Sequence, residues 1–201
     1  MARTRPELDT LVPALKRRDP VAFRQLYEDL ADSLGRFAFG ILRDRSMAED
    51  VVQQAFLEFV QAAPTLKGNG RSVRAWLYRS VRFRCLDELR RRSRRPEDLT
   101  NELPELESTD TDPMEEMLDP VIEVALDSLT PEQRTVVLLR HVEGLSGSEV
   151  AKVVGSNRVA VYAMTSRAEA SLRRALQAVE SDDAATSEHV RGAEVTGKTD
   201  Q

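Results

Sequence analysis

The sequence predicts an all-α protein: two small helical domains joined by an acidic flexible linker, the second containing a helix-turn-helix. Three observations predict it. Apolar residues recur at threes and fours over most of the chain, the period of a helix with one buried face. Glycine and proline are sparse, 9 of each in 201 residues, and several mark breaks in that pattern, among them Pro20, Pro64, Gly68, Gly70, Pro96, Gly144 and Gly155. Charge is segregated, with an arginine-rich stretch over 71–95 followed by a stretch over 97–119 that holds many acids and no Lys or Arg.

Residues 1–19 form an N-terminal segment, with a short helix expected over 6–17. Asp19 and Pro20 start the next helix as N-cap and first-turn proline. Behind them Phe23, Leu26, Tyr27, Leu30, Leu34, Phe37, Ala38, Ile41 and Leu42 make one apolar stripe. Ser46 and Glu49 fit a capping box that opens a helix whose buried stripe is Val51, Val52, Ala55, Phe56, Phe59 and Val60. Pro64 ends it, and Gly68 and Gly70 let the following loop turn tightly. A third helix from about Ser72 turns Val73, Trp76, Leu77, Val81, Cys85 and Leu89 inward. The first domain is therefore expected over 20–95 and the linker over 96–120.

The second domain is expected over 121–180. Thr130, Pro131 and Gln133 make a helix start, and Gly144 its C-cap. Ser146 and Glu149 box the next short helix, Gly155 turns the chain, and a last helix runs over about 158–179. Residues 181–201 read as a disordered tail.

A formal net charge of −5 excludes a uniformly cationic coat but not a local basic patch. Cys85 is the only cysteine, so no intrachain disulfide can form. The N-terminus lacks an apolar signal region, and no apolar run nears the ~20 residues that span a bilayer, so a cytoplasmic protein without membrane insertion is expected. Catalytic and cofactor patterns are missing. His141 and His189 are far apart, there is no CxxC pair or P-loop, and the segment 144–148 falls one Gly short of a nucleophile elbow. A non-enzyme with no cofactor and no metal is expected.

Three stretches point to binding. In RSVRAWLYRSVRFRCLDELRRRSRR, arginines that can pair with phosphates surround Trp76, Tyr78 and Phe83, whose faces can stack on unpaired bases. The helix-turn-helix would bring Ser156, Asn157, Arg158, Ala160, Tyr162 and Ala163 to a major groove, with Arg167 toward phosphates; an ordinary helical corner has the same pattern. Glu49, Asp50, Gln53 and Gln54 make a polar helix face that, taken alone, is a solvated surface.

Taken together, AEDVVQQAF at 48–56, WLYR at 76–79, the DELRRRSRR run and EGLSGSEVA stand in the order found in bacterial sigma factors of the extracytoplasmic-function group, which this chain resembles over about 20–178. The resemblance implies a subunit that binds core RNA polymerase and directs promoter-specific initiation. It implies that Glu49, Asp50, Gln53, Gln54, Phe56 and Leu57 bind core polymerase. It gives the melted minus-ten strand to Lys67, Asn69, Arg71, Arg74, Trp76, Tyr78, Arg79, Arg82 and Phe83, with Trp76 either core packing or a floor beneath the strand. The helix-turn-helix residues Ser156, Asn157, Arg158, Ala160, Tyr162 and Arg167 would read the minus-thirty-five duplex, and an anti-sigma factor is a further partner it implies.

Two departures stand out. Phe83 replaces an expected Asn, and the start of the last helix, Val159 to Met164, lacks two cations and a hydroxyl that the family pattern carries there. The alternatives are a helix-turn-helix regulator with a protein-sensing N-terminal bundle, or a polymerase-binding adaptor with weak DNA binding.

Overall fold

The computed structural model describes residues 6–94 and 125–195, with side chains over 8–94 and 125–178. The acidic linker expected over 96–120 and residues 196–201 lie outside the described residues. Helix α1, Pro6–Lys16, precedes α2, Pro20–Leu42. Asp19 is extended, and its carboxylate accepts the Val21 N–H at 2.9 Å, a cap that satisfies one free donor of the first turn. Helix α3 covers Arg45–Ala62, with a 3₁₀ turn at Ala63–Thr65, and α4 covers Gly70–Arg94.

The start of α3 differs from the expected Ser46–Glu49 box. Asp44 is the cap, its carboxylate accepting the Met47 N–H at 2.9 Å. Ser46 lies inside the helix, and Glu49 pairs with Arg45 at 2.9 Å across one turn. Asp44 prevails because Arg92 of α4 also reaches it, at 2.7 Å, so one carboxylate caps α3 and ties it to α4. Burial alone would raise the pKa of Asp44; the Met47 N–H and Arg92 outweigh it and hold the pKa below the ordinary value.

Leu26, Leu34, Phe37 and Ile41 of α2 pack with Val52 and Phe59 of α3 and with Leu77 and Val81 of α4, all buried. Cys85 belongs to this core, and burial pushes its thiol up to about 12, which keeps it unreactive. Helix α1 leans on α4: Asp9 accepts the Gly70 N–H at 2.6 Å, and a Cβ at Gly70 would stand 2.6 Å from Leu8 Cβ and 2.8 Å from its carbonyl carbon. Only glycine admits this approach.

In the second unit α5 covers Pro131–Val137, α6 Gly147–Val154 and α7 Arg158–Val195. Both expected capping boxes form, Thr130 with Gln133 and Ser146 with Glu149. Gly155, at φ +70°, closes α6 in the left-handed region. Helix α5 does not run as an α-helix to Glu143. It widens into a π-helix at Leu138–Val142, with the Glu143 N–H reaching back to the Leu138 carbonyl at 3.0 Å. Helix α7 runs to Val195, so residues 181–195, expected to be disordered, are helical. That stretch holds no proline, and adding residues to an existing helix needs no new nucleus.

The sequence suggests two units on a tether; in the structure they are docked, with one continuous buried core. Gly40 of α2 lets Leu138 approach so closely that a Cβ there would lie 2.7 Å from Leu138 Cδ1. Around this contact Asp127 pairs with Arg43 and Arg134, each at 3.2 Å. Helices α4 and α6 face each other across the same seam.

Candidate nucleic-acid and partner-binding surfaces

On α3 the packing splits the expected partner-binding residues. Glu49, Asp50, Gln53 and Gln54 are exposed, and Leu57, 59% exposed, places one apolar patch among them. Asp50, Gln53, Gln54 and Leu57 follow the three-and-four spacing of a single outward stripe. Phe56 does not join them. It is buried, its ring centroid 4.9 Å from that of Tyr27. Its place in the apolar stripe decides this, since one turn cannot present it both inward and outward.

Helix α4 carries two different faces. Arg79 and Phe83 are exposed, Phe83 at 63%, and Arg71, Asn69 and Lys67 continue the exposed surface at the N-terminal end of the helix. Trp76 is half-buried, its ring 5.2 Å from the Phe59 ring, so it is core packing with one edge left at the surface. The other face turns to the second unit. Tyr78, expected on an open strand-reading surface, is fully buried, and its hydroxyl donates to the Glu143 carboxylate. Arg74 donates to the Glu143 backbone carbonyl at 2.9 Å, lies 3.8 Å from its carboxylate, and stacks over Tyr78 at 5.4 Å. Arg82 is half-buried with its Nε unpaired, and Glu132 of α5 opposes the loss of basicity that burial causes.

Burial raises the pKa of Glu143, against the lowering effect of Tyr78, Arg36 and Arg74. The Tyr78 hydroxyl is pushed above its usual range, first by burial and then by the Glu143 charge. The trio is a buried acid held by one hydroxyl and one guanidinium, with Arg74 Nε and one Glu143 oxygen left unsatisfied.

Several arginines of the run are braces. Arg84 pairs with Glu58 of α3, which also accepts from Ser80 at 2.8 Å, and the Arg84 hydrogen bond holds the Glu58 pKa low. Arg91 and Arg92 reach back to Glu88 at 3.1 Å and 3.7 Å. Sequence alone could not separate these from Arg79, because all lie on one cationic helix.

On the helix-turn-helix, Ser156, Arg158, Tyr162 and Arg167 are exposed, while Ala160 is half-buried on the flank. Asn157 is committed to structure: its Oδ1 accepts the Ala160 N–H at 2.8 Å and caps α7. Arg167 Nε donates to the Ala163 carbonyl at 3.1 Å. Sequence reasoning gave no role to Val159, which is 79% exposed beside Tyr162. Among the described residues no cluster of His, Cys, Asp and Glu could hold a metal ion, and no helix is long and apolar enough to cross a membrane.

Sigma-70 region 2 matches residues 26–95, and Sigma-70 region 4 matches 121–172. The ECF RNA polymerase sigma factor BldN of Streptomyces coelicolor is 29% identical over 170 residues, 83% of this chain and 64% of BldN, so the chain spans less than two thirds of that relative. The ECF RNA polymerase sigma factor SigL of Mycobacterium tuberculosis is 31% identical over 156 residues, 77% of this chain and 88% of SigL. In fold, the chain is similar to CnrH, solved in complex with the cytosolic domain of CnrY, at TM-score 0.64 and 24% identity, covering 85% of this chain and 97% of that one. With both regions in order and a relative of this similarity over most of its length, the chain belongs to the extracytoplasmic-function group of RNA polymerase sigma factors.

Proposed function

We propose that this chain binds core RNA polymerase through the outward stripe of α3 and directs it to promoters, acting in the cytoplasm by binding alone and without catalysis. The observation that carries the reading is that stripe. In a chain of this family, Asp50, Gln53, Gln54 and Leu57 stand exposed on a rigid helix whose reverse face is core. An apolar residue among polar ones on such a face suits a protein partner.

Strand reading falls to Lys67, Asn69, Arg71, Arg79, Phe83 and the free edge of Trp76. Phe83, in place of the expected Asn, exchanges a hydrogen-bonding group for a stacking face. Arg74, Tyr78 and Arg82 can join only when the second unit leaves α4, because Glu143 now occupies Arg74 and Tyr78. Its carboxylate lies 3.8 Å from the Arg74 guanidinium, a group that could otherwise pair with a strand phosphate. Helix α7 reads the upstream duplex. An anti-sigma factor would act by covering these surfaces or by holding the units docked.

Reconstitution tests the reading. Purified chain added to core polymerase free of any other sigma factor should yield promoter-specific transcripts. Asp50→Ala with Gln53→Ala should weaken core binding about tenfold or more, at unchanged helicity. Absence of a stable complex with core would overturn the proposal. Stable binding without initiation would instead favour the adaptor reading.

A further inference from the structure

The outward side of α7 has an unusual surface. Val159 and Tyr162, at 79% and 77%, are the most exposed large apolar residues among those described. With Ala163 and Ser166 they follow the spacing of one helical stripe, and the opposite stripe of Val161, Thr165 and Ala168 is buried. The helix therefore seats on its own unit by one side and aims valine and tyrosine away from it, with Ala163 half-buried beside them. An exposed helix face without a task is polar, and β-branched valine is a poor helix former there.

Positive charge on this end is thin. Arg158 is the one cation of residues 158–165, Asn157 is used as the cap, and Arg167 Nε is bonded to its own helix. A reader with these groups can make few hydrogen bonds to base edges. The major groove offers one apolar feature, the C5-methyl of thymine, and an aliphatic or aromatic side chain laid over it removes apolar surface of both from water.

We propose that α7 recognises its duplex chiefly through thymine methyl groups, with Val159 and Tyr162 as the reading side chains and Arg158 as the flanking polar contact. This rests on the reading above that α7 enters the upstream duplex. Val159 takes the place first given to Ala160, which lies 100° round the helix and is half-buried. An apolar groove on a protein is the other possible occupant. Duplex DNA is favoured because the stripe stands at the amino end of a helix, where the helix dipole and Arg158 suit a polyanion.

Holoenzyme assembled from the full chain and core polymerase is used to select from duplexes randomised over the upstream promoter region. Enriched duplexes are then resynthesised with deoxyuridine for thymidine, which removes methyl groups and nothing else. The expected result is thymine enrichment and a loss of about fourfold in affinity per methyl removed, the value of one buried carbon. Val159→Ala and Tyr162→Ala should each erase that loss at one position. Enrichment of particular duplexes with equal affinity for the uracil forms overturns methyl reading and leaves duplex reading intact. A uracil penalty that persists in both variants overturns the assignment to these side chains. If no duplex is enriched, the duplex-reading role of α7 fails, and this proposal fails with it.

Discussion

Glu143 is an acid placed in a seam between two helical units, where water cannot fully solvate it. Its carboxylate accepts from Tyr78, so Glu143→Ala would leave a buried hydroxyl unpaired at a cost of about 1–3 kcal/mol. Glu143→Gln keeps an acceptor for Tyr78 and removes the buried charge, so stability should be equal to or above that of the parent. Chemical denaturation of the three proteins checks both. The pH dependence has a definite sign. The folded pKa of Glu143 is raised from an ordinary 4.5, so the folded form holds the proton more tightly than the unfolded form. The stability linked to this group is then fully present below pH 4.5 and is lost as pH rises through the folded value. Asp44 and Glu58 have lowered values and act oppositely: their contribution is present above the ordinary carboxylate range and lost as pH falls through their folded values. Denaturation midpoints measured from neutral pH downward should therefore rise first and fall afterwards, and Glu143→Gln should remove only the rise.

Elements are held by a few contacts that sequence pattern does not distinguish from their neighbours. Asp44→Ala removes the α3 cap and the Arg92 brace together, so it should cost about 1–2 kcal/mol, above the effect of Ser46→Ala. The difference tests which residue starts the helix. Gly70→Ala sets a Cβ 2.8 Å from the Leu8 backbone, which cannot rotate away. Helix α1 should detach, seen as faster amide exchange over residues 6–16 with α2 and α3 unaffected. The π-helix at Leu138–Val142 belongs to the same scale. Apolar periodicity marks Leu138 and Leu139 as buried but carries no sign of the wider turn that precedes Glu143.

For the whole molecule the main consequence is that two family regions share one core. A core continuous across Leu138 and Gly40 predicts a single cooperative unfolding transition for the free protein. Gly40→Ala forces Leu138 aside and should weaken docking by about 1–3 kcal/mol, separating the transition into two in calorimetry. Binding to core polymerase should raise amide exchange on the face of α4 that holds Arg74 and Tyr78, if strand reading requires the units to part. Unchanged protection in the bound state would show that the docked form is itself the active one.

The chain's order of helices, both capping boxes of the second unit, the Asp19 start and the helix-turn-helix were set by local sequence, because a cap or an apolar stripe acts within a few residues of itself. The family was legible for the same reason, in four short motifs in one order. Side-chain roles within the arginine run were not. Arg79 and Arg84 are chemically alike and five residues apart, yet one faces water and the other braces Glu58. Phe56 and Leu57 are adjacent apolar residues, yet one is core and one is surface. Tyr78 looked like a base-stacking group until an acid 65 residues away took its hydroxyl. Sequence determined which helices form and which family they make. Tertiary structure alone decided which of their charged and aromatic groups remain free to bind, because that depends on partners brought together across the fold.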